Sequence, residues 1–259
     1  MIRKAYGSMY IKNLKDENIF VEVFEPENYK ETIVFCHGIT GCRKGRTKDD
    51  DYFLVLANKL FKKNYRVILF DFTGHGDSEG NDYDVTLSKS TGDLRCIIEK
   101  FISASEKVSF LVFSYGAAVL ANYLEMNDKL NVNKIVMYSP CLFPLESCFL
   151  NKDSLFGKDI VSAYEDGSLF DSGFVVVGAK NFKFSSKMIE ECRKINLKCY
   201  EDNKDNILCL SGSEDVILDT KFNDDFCRIN NINNIYLEAS HSLFEKIDDA
   251  FKYTLDFFE

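Results

Sequence analysis

Apolar positions along the chain fall into short continuous blocks separated by longer stretches with helical spacing. Thr32–Cys36, Arg66–Phe70, Val108–Phe113, Lys134–Tyr138, Ile207–Leu210 and Ile232–Ala239 read as strands, mostly buried on both faces. Tyr52–Lys63, Leu87–Ile102, Tyr115–Met126 and the segment Ser242–Phe258 read as helices. Strands alternating with helices predict an α/β chain with a mostly parallel, doubly wound sheet. Ala5–Ile11 and Ile19–Phe24 look like an opening hairpin. Between Ser139 and about Asp205 the alternation breaks, and this stretch holds Phe143, Phe149, Phe156, Phe170, Phe174, Phe182 and Phe184.

Ser114 sits on the joint between a buried strand and an alanine-rich helix. A serine on such a turn has its hydroxyl pushed out of the sheet edge, beside the unpaired N–H groups of the helix N-terminus. The segment Val112-Phe113-Ser114-Tyr115-Gly116 is a G-x-S-x-G elbow with valine in place of the first glycine. A helix-capping serine would also fit this position. A nucleophile needs a base, and the chain has only three histidines, so the choice is narrow.

His241 follows a strand-like run, at the end of the sheet where open α/β folds place their chemistry. Asp215 follows the apolar block Ile207–Leu210 and a small-residue turn Ser211-Gly212-Ser213, so serine, acid and histidine come in that order. Three placements in agreement outweigh the capping reading. Backbone N–H groups of Ile39, after the His37-Gly38 turn, and of Tyr115 are placed to converge on an oxyanion. His37 and His75 read as loop braces.

The motifs HGITG, DFTGHGDSEG, FSYGA, GSEDVI and SHSLFE, in this order, resemble the α/β-hydrolase superfamily over nearly the whole chain. They look most like serine-aminopeptidase-like hydrolases that include bacterial cinnamoyl and feruloyl esterases. The resemblance implies a triad of Ser114, Asp215 and His241, an oxyanion hole at Ile39 and Tyr115, and no metal or organic cofactor. It also implies a single domain, residues 1–259, with a small cap inserted at about 140–205. Val112 departs from the pattern, because a branched residue there should crowd the elbow. Gly116 is expected to leave the compensating room.

Composition narrows the partners. A formal charge of −9 without a basic stripe argues against nucleic acid. Nine cysteines, odd in number and without a C-x-x-C pair, point to a reducing compartment. No apolar run reaches membrane-span length, and the expected location is cytoplasmic. The loop Arg43–Lys48 carries four cations beside Asp49, Asp50 and Asp51, and reads as a solvated loop rather than an anion-receiving mouth. Any single phenylalanine of the insertion reads as packing the insertion itself, whereas collectively they would make an aromatic cap favouring an acyl or aryl group.

The expected function is hydrolysis of a small-molecule carboxylic ester through an acyl-enzyme. An acyl-thioesterase or acyltransferase would share every catalytic part, and a non-catalytic ligand-binding homologue would share the fold.

Overall fold

The computed structural model describes residues 5–44, 51–127, 129–178 and 181–259. The chain runs β1 (Ala5–Lys12), β2 (Asn18–Glu25), β3 (Thr32–Cys36), α1 (Tyr52–Lys62), β4 (Arg66–Phe70), α2 (Leu87–Phe101), β5 (Val108–Phe113), α3 (Tyr115–Met126) and β6 (Val132–Tyr138). An insertion follows, with α4 (Gly157–Glu165), α5 (Ser168–Ser172), β7 (Phe174–Val177), β8 (Phe182–Ser185), α6 (Ser186–Cys192) and α7 (Lys198–Asp202). The chain then closes with β9 (Ile207–Gly212), α8 (Lys221–Asn230), β10 (Asn233–Leu237) and α9 (Ile247–Phe258).

Eight strands form one sheet in the order β1-β2-β4-β3-β5-β6-β9-β10. The opening hairpin joins antiparallel, through β2 on β4, and every pairing from β4 to β10 is parallel. This is the α/β-hydrolase arrangement expected of the sequence. Parallel pairing needs crossovers, and the helices supplied by those crossovers cover both faces. Strand β5 shows the result. Val108, Phe110 and Val112 enter the apolar layer shared with α2 and α3, while Leu111 enters the layer shared with α1 and α9. A strand buried on both sides is apolar except where a buried polar group finds a partner, as Ser109 Oγ does in accepting from Lys134 N–H at 3.0 Å, and so it reads as an apolar run.

Two local expectations are corrected. Ser211 and Gly212 belong to β9 rather than to a turn, because β10 pairs with β9 as far as Leu237↔Gly212. The last helix starts at Ile247, not Ser242. Leu243 takes a positive φ of 56°, and a 3₁₀ turn over Phe244–Lys246 intervenes.

The insertion does not build a core of its own. Phe149, Ile160, Leu169, Phe184 and Met188 belong to the same buried cluster as α2 and α3. Phe149 and Phe184 pack edge to face at 4.4 Å. The short hairpin β7–β8 is antiparallel and separate from the main sheet.

Candidate active site

Because the central strands are parallel and in register, their carboxyl ends share one edge, and four loops meet there. Ser114 directly follows β5. Its backbone, at φ 51° and ψ −118°, lies outside the regions that L-residues ordinarily adopt. Three hydrogen bonds hold it so: Ser114 N–H donates to the Tyr138 carbonyl, and the Ser114 carbonyl accepts from Ala117 and Cys141 N–H, each at 3.0 Å. A strained residue over-determined by its surroundings marks a site where geometry matters more than local comfort. Tyr115 N–H, next in the chain, is the first amide of α3 and has no intrahelical acceptor. The Tyr115 ring itself is buried, so only its backbone can face a reacting group.

The turn is tight on its other side too. A Cβ on Gly116 would lie 2.9 Å from the carbonyl carbon of Cys36 in β3. Glycine therefore makes room for β3. This corrects the expectation that it makes room for Val112, which is fully buried between its neighbours Cys36 and Met137 on the α2/α3 face of β5.

Asp215 lies three residues past β9. Its Oδ1 accepts from Ile217 N–H at 2.8 Å and Leu218 N–H at 3.0 Å, and its Oδ2 accepts from His241 Nδ1 at 2.7 Å. The aspartate side chain is only 1% exposed. Pairing Nδ1–H with the carboxylate leaves Nε2 as the open, basic nitrogen of His241. Ser213 N–H donates to the Leu237 carbonyl and Glu214 N–H to the Ala239 carbonyl, which ties the acid loop to the histidine loop.

Ser114, His241 and Ile39 line one cavity of about 320 Å³. Its walls are Phe53, Phe113, Phe156, Phe244, Leu155, Val216 and Ile217. Phe113 packs at 5.1 Å on the His241 ring and at 5.9 Å on Phe53. Among the described residues no hydrogen bond joins Ser114 Oγ to His241 Nε2. Such contacts commonly tighten only around substrate. All five residues singled out from the sequence are thus at one edge of the sheet.

Other expectations divide. His37 is a brace, as read. Its Nε2 accepts from Phe72 N–H at 3.0 Å and its Nδ1 lies 2.8 Å from the Gly38 carbonyl, which fixes the Nδ1–H tautomer. His75 Nδ1 lies 3.1 Å from the Thr73 carbonyl, again within the loops. Arg43 is not a solvated cation. It is 1% exposed, ion-paired with Glu22, Asp71 and Asp77, and stacked 3.9 Å over the Phe20 ring. Lys44 pairs with Asp77, and Gly45, Arg46, Thr47 and Lys48 lie outside the described residues.

Of the seven insertion phenylalanines, only Phe156 lines the cavity. Phe149, Phe182 and Phe184 are buried elsewhere, Phe143 packs on Phe222 and Phe226, and Phe170 is exposed. The aromatic wall comes instead from Phe53 and Phe113, with Phe244 exposed at the mouth, three residues that the sequence offered only as ordinary apolar positions.

The sequence profile of the family described as serine aminopeptidase, S33, matches residues 27–160. The chain belongs to this hydrolase family. The matched span includes Ser114 and the His37-Gly38 loop but ends before Asp215 and His241. Among curated proteins, protein phosphatase methylesterase 1 of Candida albicans is 29% identical over 106 residues, 40% of this chain and 28% of that protein's length. Solved structures share the fold. A putative hydrolase of Agrobacterium vitis superposes with TM-score 0.71 at 16% identity over the whole of both chains. Est1E of Butyrivibrio proteoclasticus, with ferulic acid bound, gives 0.70 at 14% identity, over 96% of this chain and 99% of that one. The Pyrococcus furiosus esterase Pf2001 gives 0.68 at 19% identity, over 98% and 90%. This family member is therefore an α/β hydrolase, and no described helix is long and apolar enough to cross a membrane.

Proposed function

We propose that this family member hydrolyses carboxylic esters of small acyl or aryl substrates by a serine mechanism. The observation that carries the reading is the 2.7 Å pairing of Asp215 with His241 in the cavity that Ser114 lines. Ser114 Oγ attacks the ester carbonyl carbon while His241 Nε2 takes the hydroxyl proton. Asp215 holds the ring and stabilises the imidazolium. The oxyanion is received by the N–H groups of Tyr115 and Ile39. The proton passes from His241 to the departing alkoxide, and the alcohol leaves. Water then donates its proton to Nε2, attacks the acyl-enzyme, and releases the acid with Ser114 restored.

An apolar wall of four phenylalanines supports acyl or aryl groups over sugars or peptides rich in charge. In this reading residues at about 140–205 act as a cap on a single domain, contributing Leu155 and Phe156 to the pocket. The names methylesterase and esterase among the relatives point to the same bond class. Nine cysteines, none in a disulfide, support a reducing compartment such as the cytoplasm. A fluorophosphonate probe should label Ser114 and no other serine. Ser114→Ala and His241→Ala should each lower turnover of p-nitrophenyl esters at least about 10³-fold while leaving the fold intact. A wild-type protein that resists the probe and hydrolyses no ester would instead be a ligand-binding homologue.

A further inference from the structure

Glu245 lies four residues past His241 and lines the same cavity. It is the only carboxylate among the described residues of that lining, and no described lysine or arginine joins it there. Residues 45–50 carry Arg46 and Lys48 against Asp49 and Asp50, so their formal charges cancel. The Glu245 carboxylate is held in place rather than free to swing away. Its Oε2 accepts from Ser240 N–H at 3.2 Å and from Ser240 Oγ–H at 3.1 Å. The backbone N–H of Glu245 itself draws its pKa below the ordinary glutamate value against the opposing effect of burial, with further help from Ser240, so it is anionic at neutral pH.

An exposed but hydrogen-bonded carboxylate at a pocket whose described lining holds no other acidic residue and no lysine or arginine acts on a substrate by sign. An ester carrying carboxylate or phosphate near the scissile bond meets repulsion, with no lysine or arginine among the described lining residues to offset it. A neutral ester meets none, and a cationic one is attracted. We infer that Glu245 is a specificity-determining residue that selects neutral and cationic esters or thioesters and rejects anionic ones, coenzyme A thioesters included. The inference rests on the serine-hydrolase reading above and deepens it. It separates two substrates that the shared catalytic parts leave equivalent: a simple ester and an acyl-coenzyme A.

The test uses two thioesters with one acyl group and opposite charge on the departing thiol. Butyrylthiocholine and butyryl-coenzyme A are compared by thiol release, each normalised to p-nitrophenyl butyrate with the same enzyme. Wild type should favour the cationic substrate in kcat/KM. In Glu245→Gln, which keeps an oxygen for both Ser240 donors, the cation-to-anion ratio should fall at least about fivefold, mainly through KM. Raising the salt from about 0.05 to 0.5 M should compress the wild-type ratio and leave the variant's nearly flat. The difference in size between the two thiols is common to both enzymes and cancels in the comparison. An unchanged ratio in an active Glu245→Gln enzyme, or a wild-type preference for butyryl-coenzyme A, overturns the inference alone. Absence of wild-type activity on all three substrates, together with no phosphonate labelling of Ser114, overturns the hydrolase mechanism and the inference with it.

Discussion

Gly212 lies against the histidine loop so closely that a Cβ there would sit 2.5 Å from the Ala239 carbonyl oxygen and 2.9 Å from the Ser240 carbonyl carbon. The last residue of β9 thus has no side chain because the loop carrying His241 needs the space. Gly212→Ala must push apart the two loops whose contact places Asp215 on His241. Displacements near 1 Å cost on the order of 10²-fold in rate. We expect kcat to fall about 10- to 10³-fold in Gly212→Ala, with stability reduced by about 1–3 kcal/mol as for other overpacked sites. Kinetics and a denaturant melt on the variant check both, and wild-type kcat would show that the loops are not coupled in this way.

The proposed acid is the second point of test, because Glu214 stands next to Asp215 and Asp219 only four residues on. Glu214 is exposed, while Asp219 Oδ1 accepts from Lys221 N–H at the start of α8. Asp215→Asn replaces an oxygen that His241 or two backbone amides require, whereas Glu214→Gln changes only a solvated group. The first should cost about 10²- to 10⁴-fold in kcat and the second less than about threefold. Equal losses would reassign the acid.

Arg43 answers a different question, since a cation near a pocket is easily taken for a substrate anchor. Its guanidinium instead satisfies the buried carboxylates of Glu22 and Asp71. Arg43→Met strands those two charges and should destabilise the protein by about 3–5 kcal/mol. Among the molecules still folded, the ratio of activity on neutral to anionic esters should match wild type. A shift of that ratio would make Arg43 part of substrate recognition after all.

The same contrast explains what the sequence could and could not disclose. Strand β5 and helix α3 were legible to the residue because a strand buried on both faces leaves a nearly continuous apolar run, broken only by the buried, hydrogen-bonded Ser109, and Ser114 ends it at the elbow. Asp215 and His241 were legible because each follows such a run. Arg43 was not, since its three partners lie 21, 28 and 34 positions away and only the fold collects them. The pocket wall was misread for a related reason. Phenylalanine content marks a segment as apolar but says nothing of direction, and Phe149 and Phe184 turn to each other while Phe53 and Phe113, in regular elements, turn to the site.

Asp93 provides the pH dependence. It is 1% exposed, and burial pushes its pKa from 3.8 to about 6, outweighing bonds from Thr73 N–H, Asn13 Nδ2–H and the Thr73 hydroxyl. Below about pH 4 the group is protonated in both folded and unfolded chains. Between about 4 and 6 the unfolded chain loses the proton and the folded one keeps it, so stability from this group falls as pH rises, then levels above 6. A shift of this size corresponds to roughly 3 kcal/mol. Asp93→Asn adds a constant packing and hydrogen-bond penalty but removes the slope. The stability advantage of wild type over Asp93→Asn, measured by urea denaturation, should therefore shrink by a few kcal/mol between pH 4 and pH 7. A difference independent of pH would show that Asp93 titrates normally.

Val112 and Gly116, the two elbow positions flanking Ser114, should respond in opposite ways to exchange of size. Val112 is fully buried on the α2/α3 face, and Gly116 yields its space to Cys36 rather than to Val112. Removing the valine side chain thus opens a void in the core and loosens β5 without relieving any crowding at Ser114. Val112→Gly should lose about 1–3 kcal/mol of stability, from burial and from backbone freedom, yet retain turnover within about tenfold of wild type. Gly116→Val meets the Cys36 carbonyl with a branched side chain, so either β3 or α3 must move, and Tyr115 N–H and the Ser114 backbone move with it. That variant should lose turnover by at least about 10³-fold even where it still folds. A thermal melt and single-substrate kinetics on the pair decide the matter. A large gain of activity in Val112→Gly would mean that the valine crowds the nucleophile, and that the native elbow works below what its geometry allows.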